Sequence, residues 1–121
     1  MGNVKQCLDE ALQIDGAIGA ALVDLKSGMC LGTAGGGSTF NLDIAAAGNT
    51  EVVRGKLKVM ADLGLKDRIE DVLITLGKQY HLIRLLSNVG HIFIYVALHR
   101  EKANLGMARH KLSEIEGKLS L

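Results

Sequence analysis

Four histidines are the first residues in this sequence that could do chemistry, as metal ligands or as acid/base groups. They are His81, His91, His99 and His110, and none stands in an HxxxH or HxH pattern or beside a CxxC pair. No single element therefore brings two ligands to one ion. If Ser87 to Gly90 form a hairpin turn, His81 and His91 fall on opposite faces of two strands. We expect structural or surface histidines, and no metal.

A glycine-rich run from Ala34 to Ser38, AGGGS, could cradle an anion with its backbone amides. It lacks the GxxxxGK[ST] pattern and a neighbouring lysine, and it follows a hairpin, so we interpret it as a flexible connector. No GxSxG nucleophile motif occurs. Asp24, Asp67, Glu70 and Asp71 are carboxylates near strand ends, where solvated surface positions are usual. The sequence predicts no enzyme, no catalytic residue and no cofactor.

Composition excludes several other classes of function. Fourteen Lys and Arg against thirteen Asp and Glu give a formal net charge of +1, which favours neither nucleic acid nor an anionic bilayer. The longest apolar stretches, Ala17 to Val23 and Ile92 to Leu98, are far shorter than the ~20 residues of a membrane span. The amino terminus has no signal-peptide pattern, so a cytoplasmic protein is expected. Cys7 and Cys30 are interpreted as free thiols, and 121 residues suit one domain.

The elements that position these residues follow from hydrophobic periodicity and turn residues. A first amphipathic helix is predicted to end near Ile14, before Asp15 and Gly16. A second runs from a cap at Asn41 or Asp43 to Leu63, with Gly64 after it. A third starts near Glu101. Strands are predicted in AIGAALVDL and MCLGT, joined by a turn at Lys26 to Gly28, and then in IEDVLITLG, YHLIRLLS and HIFIYVAL.

The order helix, two strands, helix, three strands, helix predicts an α+β fold in which one antiparallel sheet is covered by helices. Alternation along the last two strands makes both faces of the sheet apolar, so both must be covered. The first and third helices are expected on one side and the second helix on the other. In this interpretation His81, Ile83 and Leu85 share a face with Ile92, Ile94, Val96 and Leu98.

The second helix carries more apolar surface than one sheet requires. At 100° per residue its apolar residues form two adjacent stripes spanning about 200°, against about 100° for a helix lying on a single sheet. One stripe is Ala46, Val53, Leu57 and Met60; the other is Ala45, Gly48, Val52, Gly55 and Val59. Each glycine costs the helix about 1 kcal/mol relative to alanine, so close approach of another helix is expected. A symmetry-related copy is the simplest partner, and a doubly buried or kinked helix is the alternative.

The sequence resembles the Roadblock/dynein light chain family, including its bacterial Mgl-type members. The resemblance lies in the first helix, the hairpin IGAALVDLKSGMCLGTAG, the long helix DIAAAGNTEVVRGKLKVMADLG and the segment from Ile69 to Arg109. It covers Asp9 to Ile115. It implies a profilin/longin-like fold with a five-stranded antiparallel sheet. It also implies a homodimer in which the long helices meet and the third strands, here Ile69 to Leu76 with Leu73, adjoin.

The resemblance also implies a function, as a regulator or scaffold of Ras-like small GTPases or as a light chain of motor and trafficking complexes. It carries over no catalytic residue, and no motif marks a GTPase contact. The leading hypothesis is a homodimeric module that binds a small GTPase. The alternatives are a small-ligand sensor domain, or a light-chain adaptor of a larger complex.

Overall fold

Three helices and five strands follow one another in the predicted order in a computed structural model that describes residues 2–121. They are α1 (Val4–Leu12), β1 (Ala17–Asp24), β2 (Cys30–Gly35), α2 (Leu42–Asp62), β3 (Asp71–Thr75), β4 (Gln79–Leu85), β5 (Ile92–His99) and α3 (Leu105–Lys118).

The strands form one antiparallel sheet in the order β2-β1-β5-β4-β3. β5 is the central strand, between β1 and β4, and it pairs with β1 although the two are far apart in the sequence; Ala17 pairs with Leu98 and Asp24 with Ile92. β2 and β3 are the two edge strands. The predicted fold, a five-stranded antiparallel sheet covered by helices, is confirmed.

Each face of the sheet has its own hydrophobic core, as the two-sided apolar pattern predicts. α1 and α3 cover one face, where Leu8 and Leu112 pack with Ile94 and Val96. α2 covers the other face, where Val53 packs with Phe93 and the ring of Tyr95. We refer to these as the α1/α3 face and the α2 face.

α2 begins and ends where the sequence predicts. The Asn41 side chain accepts hydrogen bonds from the amides of Asp43 at 2.9 Å and Ile44 at 3.1 Å, so it satisfies two of the otherwise unpaired amides of the first turn. Gly64 follows the helix with φ +68°, a left-handed conformation that ends helices and that glycine adopts at little cost.

Replacing Asn41 by Ala is therefore expected to lower the free energy of unfolding by about 1 kcal/mol, because both cap hydrogen bonds are lost. Urea denaturation followed by circular dichroism measures the change. Asn88→Ala is the matched control, since Asn88 lies exposed in the β4–β5 loop. An equal loss in the two variants would contradict the capping role.

The register of β4 with β5 differs from the predicted one by a single residue. Leu85 pairs with Phe93, and the Leu86 amide donates to the Ile92 carbonyl, so the loop is five residues long, from Ser87 to His91. A one-residue slip exchanges the two faces of a strand. The predicted grouping of His81, Ile83 and Leu85 with Ile94 was therefore wrong. Ile83 and Leu85 lie instead with Phe93 and Tyr95 on the α2 face.

Candidate interaction surface on helix α2

The second apolar stripe of α2 faces solvent within one chain. Val52 is 42% exposed and Val59 46%, whereas Val53 on the neighbouring stripe is fully buried. A Cβ placed on Gly48 or Gly55 would meet no atom of the described residues within 4 Å. Ala45 is half-buried at the edge of the stripe. Burial of α2 on both sides within the chain therefore does not account for the stripe.

Two further residues extend this stripe at its ends. Ile44, in the first turn of α2, is 71% exposed, and Leu63, just after the helix, is 66% exposed. Their spacing of three or four residues from the predicted positions places them on the same side of the helix. The sequence pattern contained this signal, but the prediction stopped at Ala45 and Val59. We call Ile44, Ala45, Gly48, Val52, Gly55, Val59 and Leu63 the α2 stripe.

Two shallow grooves run beside the α2 stripe because α2 packs over β1 and β2 and leaves the β3 side of the sheet open. One has a volume of about 550 Å³ and lies between Gly48 and Val52 on the helix and His81 and Tyr95 on the sheet. The other, about 630 Å³, lies between Met60 and the segment 67–72. The grooves and the α2 stripe form one continuous, mostly apolar surface.

His81 is one of the polar groups that line the first groove, and both nitrogens of its ring have a hydrogen-bond partner within the chain. Its Nε2 lies 2.8 Å from Oε1 of Gln79, and its Nδ1 lies 3.2 Å from the Tyr95 hydroxyl. A neutral ring with its proton on Nε2 donates to Gln79 and accepts from Tyr95. Burial lowers the pKa of His81, and burial raises the pKa of Tyr95 to about 12. Both side chains are therefore neutral at pH 7.

β3 contributes an open sheet edge to the same region. Among the described residues β3 pairs with β4 alone, with Leu73 opposite Leu82. An unpaired strand edge presents backbone amides and carbonyls to any second strand. The Leu73 side chain is half-buried on the α1/α3 face, away from the α2 stripe. Leu73 and the α2 stripe thus lie on opposite faces of the sheet.

A network of charged side chains holds β3 and β4 against α3. Arg84 Nε donates to Glu116 Oε1 at 2.9 Å, and the Ser87 hydroxyl donates to Glu116 Oε2 at 2.8 Å. Arg109 donates twice to the Asp71 carboxylate, at 2.7 and 3.1 Å. The Asp71 side chain is only 14% exposed. The expectation of a solvated carboxylate at Asp71 was therefore wrong, because a bidentate pair with Arg109 compensates its burial.

Glu116 is buried, at 9% exposure, and nevertheless ionised. Burial alone raises its pKa, but hydrogen bonds from Arg84 and Ser87 together with the charge of Arg84 outweigh burial and lower the pKa. Sequence reasoning missed this network, although two signals were present. Arg84 interrupts the apolar strand YHLIRLL, and Glu116 lies directly beside the buried Ile115.

The glycine-rich run uses its backbone amides within the chain. Gly36 N donates to the Ile18 carbonyl at 3.0 Å and Gly37 N to the Phe40 carbonyl at 3.1 Å. Gly35, Gly36 and Gly37 all have positive φ, which only glycine adopts readily. The run therefore makes the turn from β2 to α2, and these two amides are already paired and cannot hold an anion.

Residues 2–121 give little support for a metal site, for cysteine chemistry or for a membrane-spanning helix. No group of three or more metal-ligating side chains comes together there. Cys7 is buried, Cys30 is half-buried, and both are free thiols. Burial raises the pKa of both cysteines, that of Cys30 to about 11, which disfavours the reactive thiolate form. None of the described helices combines the length and the apolar character needed to cross a bilayer.

Comparison with known proteins gives matches in structure only. No protein-family model matches the sequence, and no curated protein matches it significantly. A Roadblock/LC7 domain from Streptomyces avermitilis superposes with TM-score 0.79 at 12% identity, covering 93% of this chain and 90% of that one. MglB of Myxococcus xanthus gives 0.75 at 14% identity, covering 93% and 77%. A structure described as MglB with a tetrameric arrangement gives 0.79 at 18%, covering 93% and 81%. The resemblance seen in the sequence is therefore confirmed in the architecture, and the chain has the Roadblock/LC7 fold.

Proposed function

We propose that this protein is an MglB-like member of the Roadblock/LC7 family. In this proposal it forms a homodimer through the α2 stripe and acts in the cytoplasm as a non-catalytic regulator or scaffold of a Ras-like small GTPase. The observation that carries the proposal is the exposed apolar α2 stripe beside an open half-sheet, in a domain with this fold. The protein would bind the GTPase, and the GTPase itself would bind and hydrolyse the nucleotide.

Self-pairing is supported by the shape and composition of the surface. The middle of the α2 stripe consists of Gly48, Val52 and Gly55, so a second helix can approach the α2 backbone closely there. The larger apolar residues Ile44 and Leu63 stand at the two ends. A twofold axis near the middle of the helix would make the two helices antiparallel, so that Ile44 of each copy would lie beside Leu63 of the other. The interface residues proposed are the α2 stripe, with β3 and Leu73 adjoining.

GTPase binding is tested by co-purification and by nucleotide kinetics. Small GTPases encoded in the source genome are purified, loaded with GDP or a non-hydrolysable GTP analogue, and mixed with this protein. We expect one of them to bind in a nucleotide-dependent way and to change its rate of nucleotide exchange or hydrolysis. A protein that binds none of them in either state would contradict the proposal.

The first groove favours a second candidate function, a small-ligand sensor. Its volume of about 550 Å³ and the polar pair His81 and Tyr95 suit a small, partly polar molecule. The groove is open to solvent, and a second copy lying along the α2 stripe would cover it. Thermal-shift measurements with cellular metabolites separate the two functions, because a sensor is stabilised by a small molecule and a pairing surface is not. A role as light-chain adaptor would instead show as stable co-purification with a larger complex.

A further inference from the structure

His81 lies where a second copy of the chain would cover it. Its ring is on β4, in the groove whose other wall is formed by Gly48 and Val52 of the α2 stripe. Tyr95 and Phe40 meet the ring edge-on, at centroid distances of 5.5 and 5.9 Å. A partner helix that packs along the α2 stripe would lie directly over this groove. His81 would then lose the solvent that still reaches it in one chain.

No charged side chain of residues 2–121 lines this groove. Tyr95 from β5, Phe40 from the segment before α2 and Gln79 from β4 itself contact the ring, Ile74 of β3 pairs with His81 across the sheet, and Asn49 of α2 lines the same groove. Tyr95 is the one titratable group among them, and it stays neutral because burial raises its pKa to about 12. A protonated His81 therefore has no carboxylate in the described groove to compensate its charge.

We propose that protonation of His81 separates the two copies of the homodimer. The inference rests on the self-pairing proposed above. Covering the groove removes water from His81, so the second copy binds the neutral ring more tightly than the charged one. The dimer is therefore at full strength above the pKa that His81 has in the free chain, and it weakens as the pH falls below that value. Each dimer holds two such rings, so dissociation takes up as many as two protons.

Sedimentation equilibrium at pH 8.0 and 5.0 tests this inference. For the wild-type protein we expect the dimer dissociation constant to rise about tenfold or more at the lower pH. His81→Gln, which keeps a neutral polar side chain at every pH, should remove most of that rise. His110→Gln is the matched control, because the side chain of His110 is 71% exposed on α3 and should leave the rise unchanged. Circular dichroism at both pH values checks that the chain stays folded.

A second measurement does not depend on any variant. Nuclear magnetic resonance of the His81 ring in the wild-type protein should give a lower pKa in concentrated, dimeric samples than in dilute, monomeric ones. A dimer of equal strength at both pH values, or one that tightens in acid, would overturn the role of His81 and leave self-pairing intact. A chain that stays monomeric at pH 8.0 would overturn both.

Discussion

Replacing Gly55 by Leu is expected to convert a dimer into a monomer while making the single chain more stable. The leucine Cβ would meet nothing within 4 Å in the described part of the chain, and a glycine in a helix costs about 1 kcal/mol relative to a good helix former. In a close helix pair the added side chain clashes instead, at about 1–3 kcal/mol per overpacked site. The twofold axis repeats the clash, so the dissociation constant should rise about thirtyfold or more.

Gly117→Leu provides the matched control for this prediction. Gly117 also lies in a helix, α3, and a Cβ there also meets no described atom within 4 Å, but it is remote from the α2 stripe. Sedimentation equilibrium gives the assembly state of each variant, and urea denaturation gives its stability. If Gly55→Leu and Gly117→Leu dimerise equally well, the α2 stripe is not the pairing surface. Gly48→Leu should behave as Gly55→Leu does.

Replacing Glu116 by Gln is expected to lower the free energy of unfolding by about 2–3 kcal/mol at pH 7, the scale of a hydrogen bond between charged groups. Arg84, whose side chain is 17% exposed, would lose its close carboxylate and keep only Asp71 at 3.8 Å. Ser87 would lose an ionised acceptor. Urea denaturation in the Gly55→Leu background separates this loss from any change in assembly. Glu114→Gln is the control, because Glu114 is exposed on the same helix.

The ion pair of Glu116 with Arg84 also predicts how the stability of the chain changes as the pH is lowered. The pKa of Glu116 is lowered in the folded chain, so its contribution is complete above the ordinary carboxyl pKa of 4.5 and is lost as the pH falls through the lowered value. The difference in stability between wild type and Glu116→Gln should therefore shrink between about pH 5 and pH 3. A difference that is constant over this window would mean that Glu116 is not held ionised by Arg84.

Much of the fold could be predicted because its signals are local. Asn41 and Gly64 mark the two ends of α2, and both act through hydrogen bonds or backbone conformation within a few residues. The β4–β5 register could not be predicted in the same way. The five-residue loop contains Gly90 and His91, and nothing local decides whether His91 ends the loop or starts the strand. This one-residue difference in register places Ile83 and Leu85 on the α2 face, opposite to the predicted one.

The charged network could not be predicted because its partners are far apart in the chain. Arg84 and Glu116 meet only when α3 packs on the sheet, as do Asp71 and Arg109. Periodicity assigns a face to each residue but does not pair residues on different elements. The α2 stripe was easier to predict, because its residues lie on a single helix or directly after it. Its two glycines stood out in the sequence because glycine is unfavourable inside a helix. In the structure no atom lies within 4 Å of a Cβ placed on either glycine.

The pairing of β1 with β5 has a consequence for how this chain folds. The central strand β5 pairs with β1, which lies far earlier in the sequence, so the core closes only after the chain from Ala17 to His99 is available. Such nonlocal pairing makes folding slow compared with that of a helical bundle of similar size. The β1–β2 and β3–β4 hairpins are local and can form early, whereas the pairing of β1 with β5 joins distant parts of the chain. Hydrogen exchange should therefore find the β1 and β5 amides the slowest, opening only when the whole domain unfolds.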